Sequence, residues 1–164
     1  MTVLNKFGFS HKFQNLILNL LQSSHFSLLV NGHQTKSFKP NRGLRQGDPI
    51  SPLLFILFSE AFSRTIKAET SSGHLSPYYL GRHFISVTHL AYADDLILFS
   101  NGSARNLAKI KCLIKDYEDC SGQKINQGKC FFYTPKKTSH SILKRTEAIL
   151  GMNKGSLPFK YLGV

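Results

Sequence analysis

Acidic side chains are scarce in this chain of 164 residues. Nine Asp and Glu residues stand against 21 Lys and Arg residues, which gives a formal net charge of +12. A basic surplus of this size is typical of proteins whose partners carry phosphates, so nucleic acid is the leading partner class. A basic surface that binds no partner is the alternative, and charge alone does not decide between the two.

Paired cysteines, histidine metal motifs and long apolar runs are also lacking. The three cysteines are odd in number and form no C-x-x-C motif, so they indicate neither a disulfide framework nor a zinc finger, and we expect no disulfide partner. The seven histidines show no H-E-x-x-H spacing. The longest apolar run, residues 52–58, is too short to span a bilayer, and residues 1–10 do not resemble a signal peptide. We therefore expect a soluble intracellular protein without a membrane partner, in the nucleus, the cytoplasm or an organelle.

The first half of the chain contains patterns for two helices and a hairpin. Apolar residues at helical spacing predict a helix over residues 10–22, with Ser10 as its cap. The Asn31-Gly32 pair predicts a hairpin over residues 26–38, because it supplies the two positive φ values of a type I′ turn. An irregular loop over residues 41–48 should lead to a helix over residues 51–68, with Ser51 as N-cap and Pro52 as its first residue.

The second half predicts a hairpin, a helix and further short elements. Residues 82–92 and 95–100 are rich in β-formers and flank an Ala93-Asp94 corner. Ser103 should cap a helix that ends at Ser121-Gly122. Short strands are expected near residues 130–133 and 159–162, with a helix near 141–150 between them. The whole chain is thus predicted to form one α+β unit, which at this length can bury a core without a disulfide or metal.

Asp94 and Asp95 are the most informative residues, because a chain with few carboxylates places two of them side by side. Mg²⁺ prefers carboxylate oxygen and keeps coordination positions open for water and phosphates, so an acid pair at a hairpin tip suits phosphoryl-transfer chemistry. A polar turn without function is the alternative for an isolated Asp-Asp pair.

Two sequence blocks resemble signature motifs of reverse transcriptases. Residues 42–55 read RGLRQGDPISPLLF, and residues 91–95 read AYADD. The VNG of the first hairpin, the SGQKIN of residues 121–126 and the FKYLGV of residues 159–164 resemble the non-LTR (LINE-type) retrotransposon branch, particularly its plant members. A group II intron maturase resembles the first block less well, and retroviral enzymes less still. The resemblance implies part of a right-hand polymerase palm, an antiparallel sheet packed on helices.

The resemblance also implies roles for individual residues. Asp94 would be the principal Mg²⁺ ligand of a two-metal site and Asp95 its less essential neighbour. Strand alternation predicts that Tyr92, two residues before Asp94, points to the same side as that aspartate and helps shape the tip, with core packing as the alternative. RNA template, DNA primer and dNTP would be the partners of the parent enzyme. The other implied contacts are with template, nucleotide or leaving pyrophosphate, with surface or turn roles as alternatives: Arg42, Arg45, Gln46, Gly47 and Lys129.

One family block has no counterpart here. The aspartate block expected before the first helix does not occur in residues 1–10, so only half of the metal site is expected in this chain, and we expect the fingers and thumb to be missing. We therefore expect a fragment of an RNA-directed DNA polymerase that is inactive alone. A non-catalytic, basic nucleic-acid-binding relic is the alternative, and a maturase-like RNA splicing factor is a third hypothesis.

Overall fold

A computed structural model describes residues 2–79 and 86–159. Its contacts divide the chain into two compact units, Met1–Ala61 and Phe62–Val164. The described residues form five α-helices, three two-stranded sheets and one 3-10 helix, so the predicted α+β class is confirmed. Among these residues, no helix has the length and apolar character needed to cross a membrane.

The first unit begins with α1 (Thr2–Lys6) and α2 (His11–Gln22). Ser10 caps α2 as predicted, since its Oγ accepts a hydrogen bond from the Phe13 amide at 3.3 Å. The core of this unit is built on the buried side chains of Leu4, Ile17 and Leu54. The short α1 has no detectable apolar period and was not predicted.

The predicted hairpin of the first unit is confirmed. β1 (Leu29–Val30) pairs antiparallel with β2 (His33–Gln34), and an isolated bridge joins Phe26 to Phe38 further along. Asn31 and Gly32 both adopt positive φ values, 51° and 79°. These are the values that a type I′ turn requires, which is why the pair was informative.

The helix α3 (Ser51–Ser71) differs from its prediction at both ends. Ser51 is its first helical residue and not an N-cap: its Oγ donates to the Arg45 carbonyl oxygen at 2.7 Å, so it holds the preceding loop. The helix also runs three residues past Ala68. The helix ends where Gly73 adopts a φ of 75° and the His74 amide donates a hydrogen bond to the Glu69 carbonyl. This backbone turn sets the end of the helix, and the polar character of residues 69–76 does not.

The second unit contains the acidic hairpin and the helix that follows it. β3 (His89–Tyr92) pairs antiparallel with β4 (Asp95–Leu98), and α4 (Ala104–Ser121) follows. Ser103 caps α4, and Gly122 closes it in the left-handed conformation, both as predicted. The predicted strand over residues 82–92 is shorter in the structure; its residues 82–85 lie outside the described part. The second core is formed by Ile66, Leu75, Ile110 and Leu113.

The last described segment forms a parallel strand pair, which was not predicted. β5 (Phe131–Phe132) pairs with β6 (Asn153–Lys154), and α5 (His140–Leu150) connects them. The second strand was expected at residues 159–162, but Phe159 lies outside any strand and residues 160–162 lie outside the described part. Instead, the Phe159 ring packs on the Tyr133 ring with centroids 4.7 Å apart.

Candidate functional site

The acid pair lies at the tip of the β3–β4 hairpin, as predicted. Tyr92 and Asp95 form the last residue pair of the ladder, and Ala93 and Asp94 make the two-residue turn. Both aspartates are exposed. One carboxylate on the turn and one on the first residue of β4 are thus presented to solvent, where a cation or a phosphate-bearing ligand can reach them.

The backbone at this tip is strained. Ala93 has a φ of 48°, and a residue with a Cβ rarely adopts a positive φ because its Cβ crowds the backbone. Such outliers cluster at functional sites, where the surrounding structure holds them. The positive φ also ends the strand alternation at Tyr92, so Asp94 lies outside the strand whose alternation was used to predict that both side chains share one side. With 63% of its surface exposed, Tyr92 is not a core residue either.

The base of the same hairpin is anchored to its unit. Leu98 packs against the second core, beside Ile66 and Ile110. His89, the ladder partner of Leu98, lies with its Nε2 2.9 Å from the Ser63 Oγ of α3. The hairpin therefore has a packed base and an open tip, an arrangement that fixes the position of the two carboxylates without burying them.

Asn106 on α4 holds the segment that leaves the hairpin. This residue is only 2% exposed, and its Oδ1 accepts a hydrogen bond from the Ser76 amide at 3.2 Å. Its Nδ2 donates to the Ser76 carbonyl at 2.8 Å and lies within reach of Ser100 Oγ and, at 2.6 Å, Asn101 Oδ1. Asn106 was not among the residues predicted to be functional. The signal was a polar side chain on the buried face of α4, four residues before Ile110.

The other motif block begins with a loop of the first unit, residues 42–50, and continues into α3. Leu44 and Ile50 pack partly buried against the first core. Asp48 Oδ1 accepts from the Ile50 amide at 3.1 Å, and the Asp48 amide donates to the Arg45 carbonyl at 3.4 Å. Apolar anchors at two points and hydrogen bonds between them give this loop a defined shape.

The predicted binding residues of this loop are all exposed: Arg42, Arg45, Gln46 and Gly47. Gly47 has a φ of 87°, and a Cβ added there would meet no atom within 4 Å. Its glycine is therefore required by backbone conformation and leaves open space beside the loop. The structure thus groups these four residues in one unit and groups Tyr92, Asp94 and Asp95 in the other.

Lys129 belongs to the second unit but to a different element from the β3–β4 hairpin. It ends the 3-10 helix Gln127–Lys129 in the second unit and is exposed. Asn126 caps this short helix through its Oδ1, which accepts from the Gly128 amide at 3.1 Å. The lysine is positioned on an ordered turn, and its predicted contact with pyrophosphate stays a prediction.

The acid pair is compatible with Mg²⁺ only as part of a larger site. No cluster of three or more His, Cys, Asp or Glu side chains that could hold a metal occurs within residues 2–79 and 86–159. Mg²⁺ is commonly bound through one or two carboxylates, with waters and substrate phosphates filling its other positions. The donor type and exposure of Asp94 and Asp95 therefore fit this mode of binding.

Comparison with known proteins establishes the family. The family model described as "Reverse transcriptase (RNA-dependent DNA polymerase)" matches residues 1–164. The chain belongs to the reverse transcriptase family. This match includes both motif blocks, RGLRQGDPISPLLF and AYADD, on which the resemblance was based.

Individual relatives come from retrotransposable elements. The chain is 28% identical over 169 residues to the Retrovirus-related Pol polyprotein from type-2 retrotransposable element R2DM of Drosophila melanogaster, with 98% of the chain covered. It is 23% identical over 173 residues to the Retrovirus-related Pol polyprotein from type-1 retrotransposable element R2 of Popillia japonica. The predicted resemblance to non-LTR retrotransposon reverse transcriptases is confirmed.

The chain spans 15% of the length of the Drosophila relative and 27% of that of the Popillia relative. A shorter relative, the uncharacterized mitochondrial protein AtMg01250 of Arabidopsis thaliana, is 41% identical over 73 residues, which are 43% of this chain and 60% of that protein.

Proposed function

We propose that this chain supplies the aspartate-bearing part of an RNA-directed DNA polymerase that extends a DNA primer on an RNA template with dNTPs. The observation that carries the proposal is the β3–β4 hairpin, with a packed base and two exposed carboxylates at a strained tip. Because the chain belongs to the reverse transcriptase family, we interpret these two carboxylates as part of a polymerase site.

Asp94 and Asp95 are the proposed Mg²⁺ ligands, with Asp94 the principal one. When bound, Mg²⁺ supplies charge neutralisation at the triphosphate and activates the primer hydroxyl. The residues of this chain place two carboxylate groups at a fixed tip, and Tyr92 is a largely exposed residue next to them. Because Asp94 and Asp95 both belong to one hairpin, a further carboxylate from another segment is needed to complete a two-metal site.

The exposed loop of the first unit is the proposed template and nucleotide contact. Arg42 and Arg45 carry permanent positive charge suited to phosphates. Gln46 and Gly47 lie beside them, and the space next to Gly47 leaves room for a base or sugar. Lys129 is the proposed proton donor to pyrophosphate. These roles rest on exposure, charge and the resemblance of the motif.

A non-catalytic nucleic-acid-binding role is the second candidate, and the net charge of +12 favours it. Both candidates predict binding to RNA and DNA with little sequence preference, and an affinity that falls steeply with salt because bound counterions are released. They differ in chemistry: only the polymerase candidate requires Asp94.

The experiment is primer extension on a primed RNA template with dNTPs and Mg²⁺, using the chain together with an upstream palm segment that bears an aspartate. We expect extension by the native sequence and its loss in Asp94→Asn, a substitution that keeps the shape of the side chain. Asp116→Asn is the matched control, because Asp116 is also an exposed aspartate but lies on α4.

Asp94→Asn should retain the unfolding midpoint and the nucleic-acid affinity of the native protein, since an exposed tip contributes little to the core. Normal extension by Asp94→Asn would refute the catalytic role. Salt-dependent binding with no extension by any variant would support the non-catalytic candidate instead.

A further inference from the structure

The second unit has an open depression between the end of α3 and the start of α4. Its volume is about 390 Å³, and its lining residues are His74, Arg105 and Lys109. All three can carry positive charge, so the side chains that converge here are hydrogen-bond donors to an anion.

The charges in this depression do not cancel. Lys109 Nζ lies 2.9 Å from Glu69 Oε1, and His74 Nδ1 lies 3.1 Å from Glu69 Oε2. The hydrogen bond from Lys109 is the largest influence on Glu69 and holds the pKa of its carboxyl below the ordinary value, so Glu69 is ionised at neutral pH. Arg105 is exposed and makes no ion pair within the part of the chain that the structure describes. Glu69 thus offsets Lys109 but not Arg105, which leaves a positive excess.

The depression lies at the base of the hairpin, away from its acidic tip. β4 runs from the tip at Asp95 to Leu98, a distance of about 10 Å for a strand of this length. Asn106, the neighbour of Arg105, contacts Asn101 beyond the end of that strand. The cationic side chains are thus grouped at the opposite end of the hairpin from Asp94 and Asp95.

We propose that His74, Arg105 and Lys109 form a binding site for phosphate oxygens, separate from the aspartate tip. The guanidinium group of Arg105 offers a planar fork of donors that matches phosphate geometry, and Lys109 adds a point charge. Glu69 orients Lys109 and His74 and competes with the incoming anion for both. A phosphodiester backbone and free orthophosphate are the two sources of this ligand, and the site exists whether or not the chain takes part in polymerisation.

The test uses the full chain and the ring signals of His74 in NMR spectra. Orthophosphate and an oligothymidylate are titrated separately at constant ionic strength. We expect a saturable shift of the His74 signals, which Arg105→Ala weakens by about tenfold or more through loss of a charged hydrogen bond. Saturation by oligothymidylate assigns the site to a nucleic-acid strand, and saturation by orthophosphate alone assigns it to a free anion; each supports the proposal.

Two further variants are included: one is expected to tighten phosphate binding, and the other is a control that should leave it unchanged. Glu69→Gln should tighten binding by about threefold, because it removes the competing charge at a partly exposed ion pair. A purely structural role of Glu69 does not predict tighter binding. Lys111→Ala removes an exposed lysine from another face of α4 and should change nothing. An absence of saturation with both probes, or equal losses in Arg105→Ala and Lys111→Ala, would overturn the proposal.

Discussion

Replacing Asn106 by alanine should destabilise the second unit, because this side chain joins three segments from a buried position. It bonds both the amide and the carbonyl of Ser76, and its two Nδ2 protons can satisfy two of the three acceptors within reach. Three hydrogen bonds at about 1 kcal/mol each give a loss of roughly 3 kcal/mol. Alanine recovers about 0.5 kcal/mol through its higher helix propensity. The expected net loss is therefore about 2–3 kcal/mol.

The assay is urea unfolding followed by far-ultraviolet circular dichroism, with the change in free energy taken from the midpoint at constant m-value. Lys111→Ala is the control on the same helix and should lie within about 0.5 kcal/mol of the native protein, because Lys111 is exposed. A loss of less than about 1 kcal/mol for Asn106→Ala would refute the idea that these hydrogen bonds hold the exit of the hairpin.

Two other perturbations test further contacts. Gly155→Ala should destabilise by about 1–3 kcal/mol in the same urea assay, because its Cβ would overlap the ring of Tyr133, whereas Gly128→Ala meets only the Asn126 side chain at ordinary distance and should cost less; equal costs would contradict the packing. The hydrogen bond from Lys109 is the chief cause that lowers the Glu69 pKa. The ionised carboxylate therefore stabilises the folded protein above its ordinary pKa of 4.5, and this stabilisation is lost as pH falls through the folded-state pKa. Unfolding midpoints between about pH 6 and pH 3 should thus fall more in the native protein than in Glu69→Gln, and parallel curves would count against that linkage.

Local signals in the sequence predicted most of the elements. Asn31-Gly32 defined a hairpin, and Ser103 and Gly122 defined both ends of α4, because each of these features depends on a few neighbouring residues. The parallel pairing of β5 with β6 was missed because it joins segments on either side of a helix, and two-residue strands have no measurable period. Ser51 was assigned as a cap from its type alone, and only the bond to Arg45 shows that it holds the loop.

The candidate site was predictable to a similar degree. The position of Asp94 and Asp95 at a hairpin tip follows from the turn between two β-rich segments, and the structure confirms it. The contacts that hold the hairpin were not predictable, since His89 and Ser63 are 26 residues apart and Asn106 and Ser76 are 30 apart. The expectation that Tyr92 and Asp94 share one side of a strand relied on a regular alternation, which the positive φ of Ala93 interrupts.

The proposed role of Asp94 and Asp95 is tested most directly by measuring whether a divalent metal binds at the hairpin tip. Mn²⁺ can replace Mg²⁺ and broadens the NMR signals of nearby nuclei, so the full chain is titrated with Mn²⁺ and its backbone amide signals are followed. We expect selective broadening of residues 92–96 in the native protein, its loss in an Asp94→Asn, Asp95→Asn double variant, and no change in Asp116→Asn. Broadening centred on other acidic residues, or unchanged broadening in the double variant, would contradict the assignment of this hairpin as the metal-binding element.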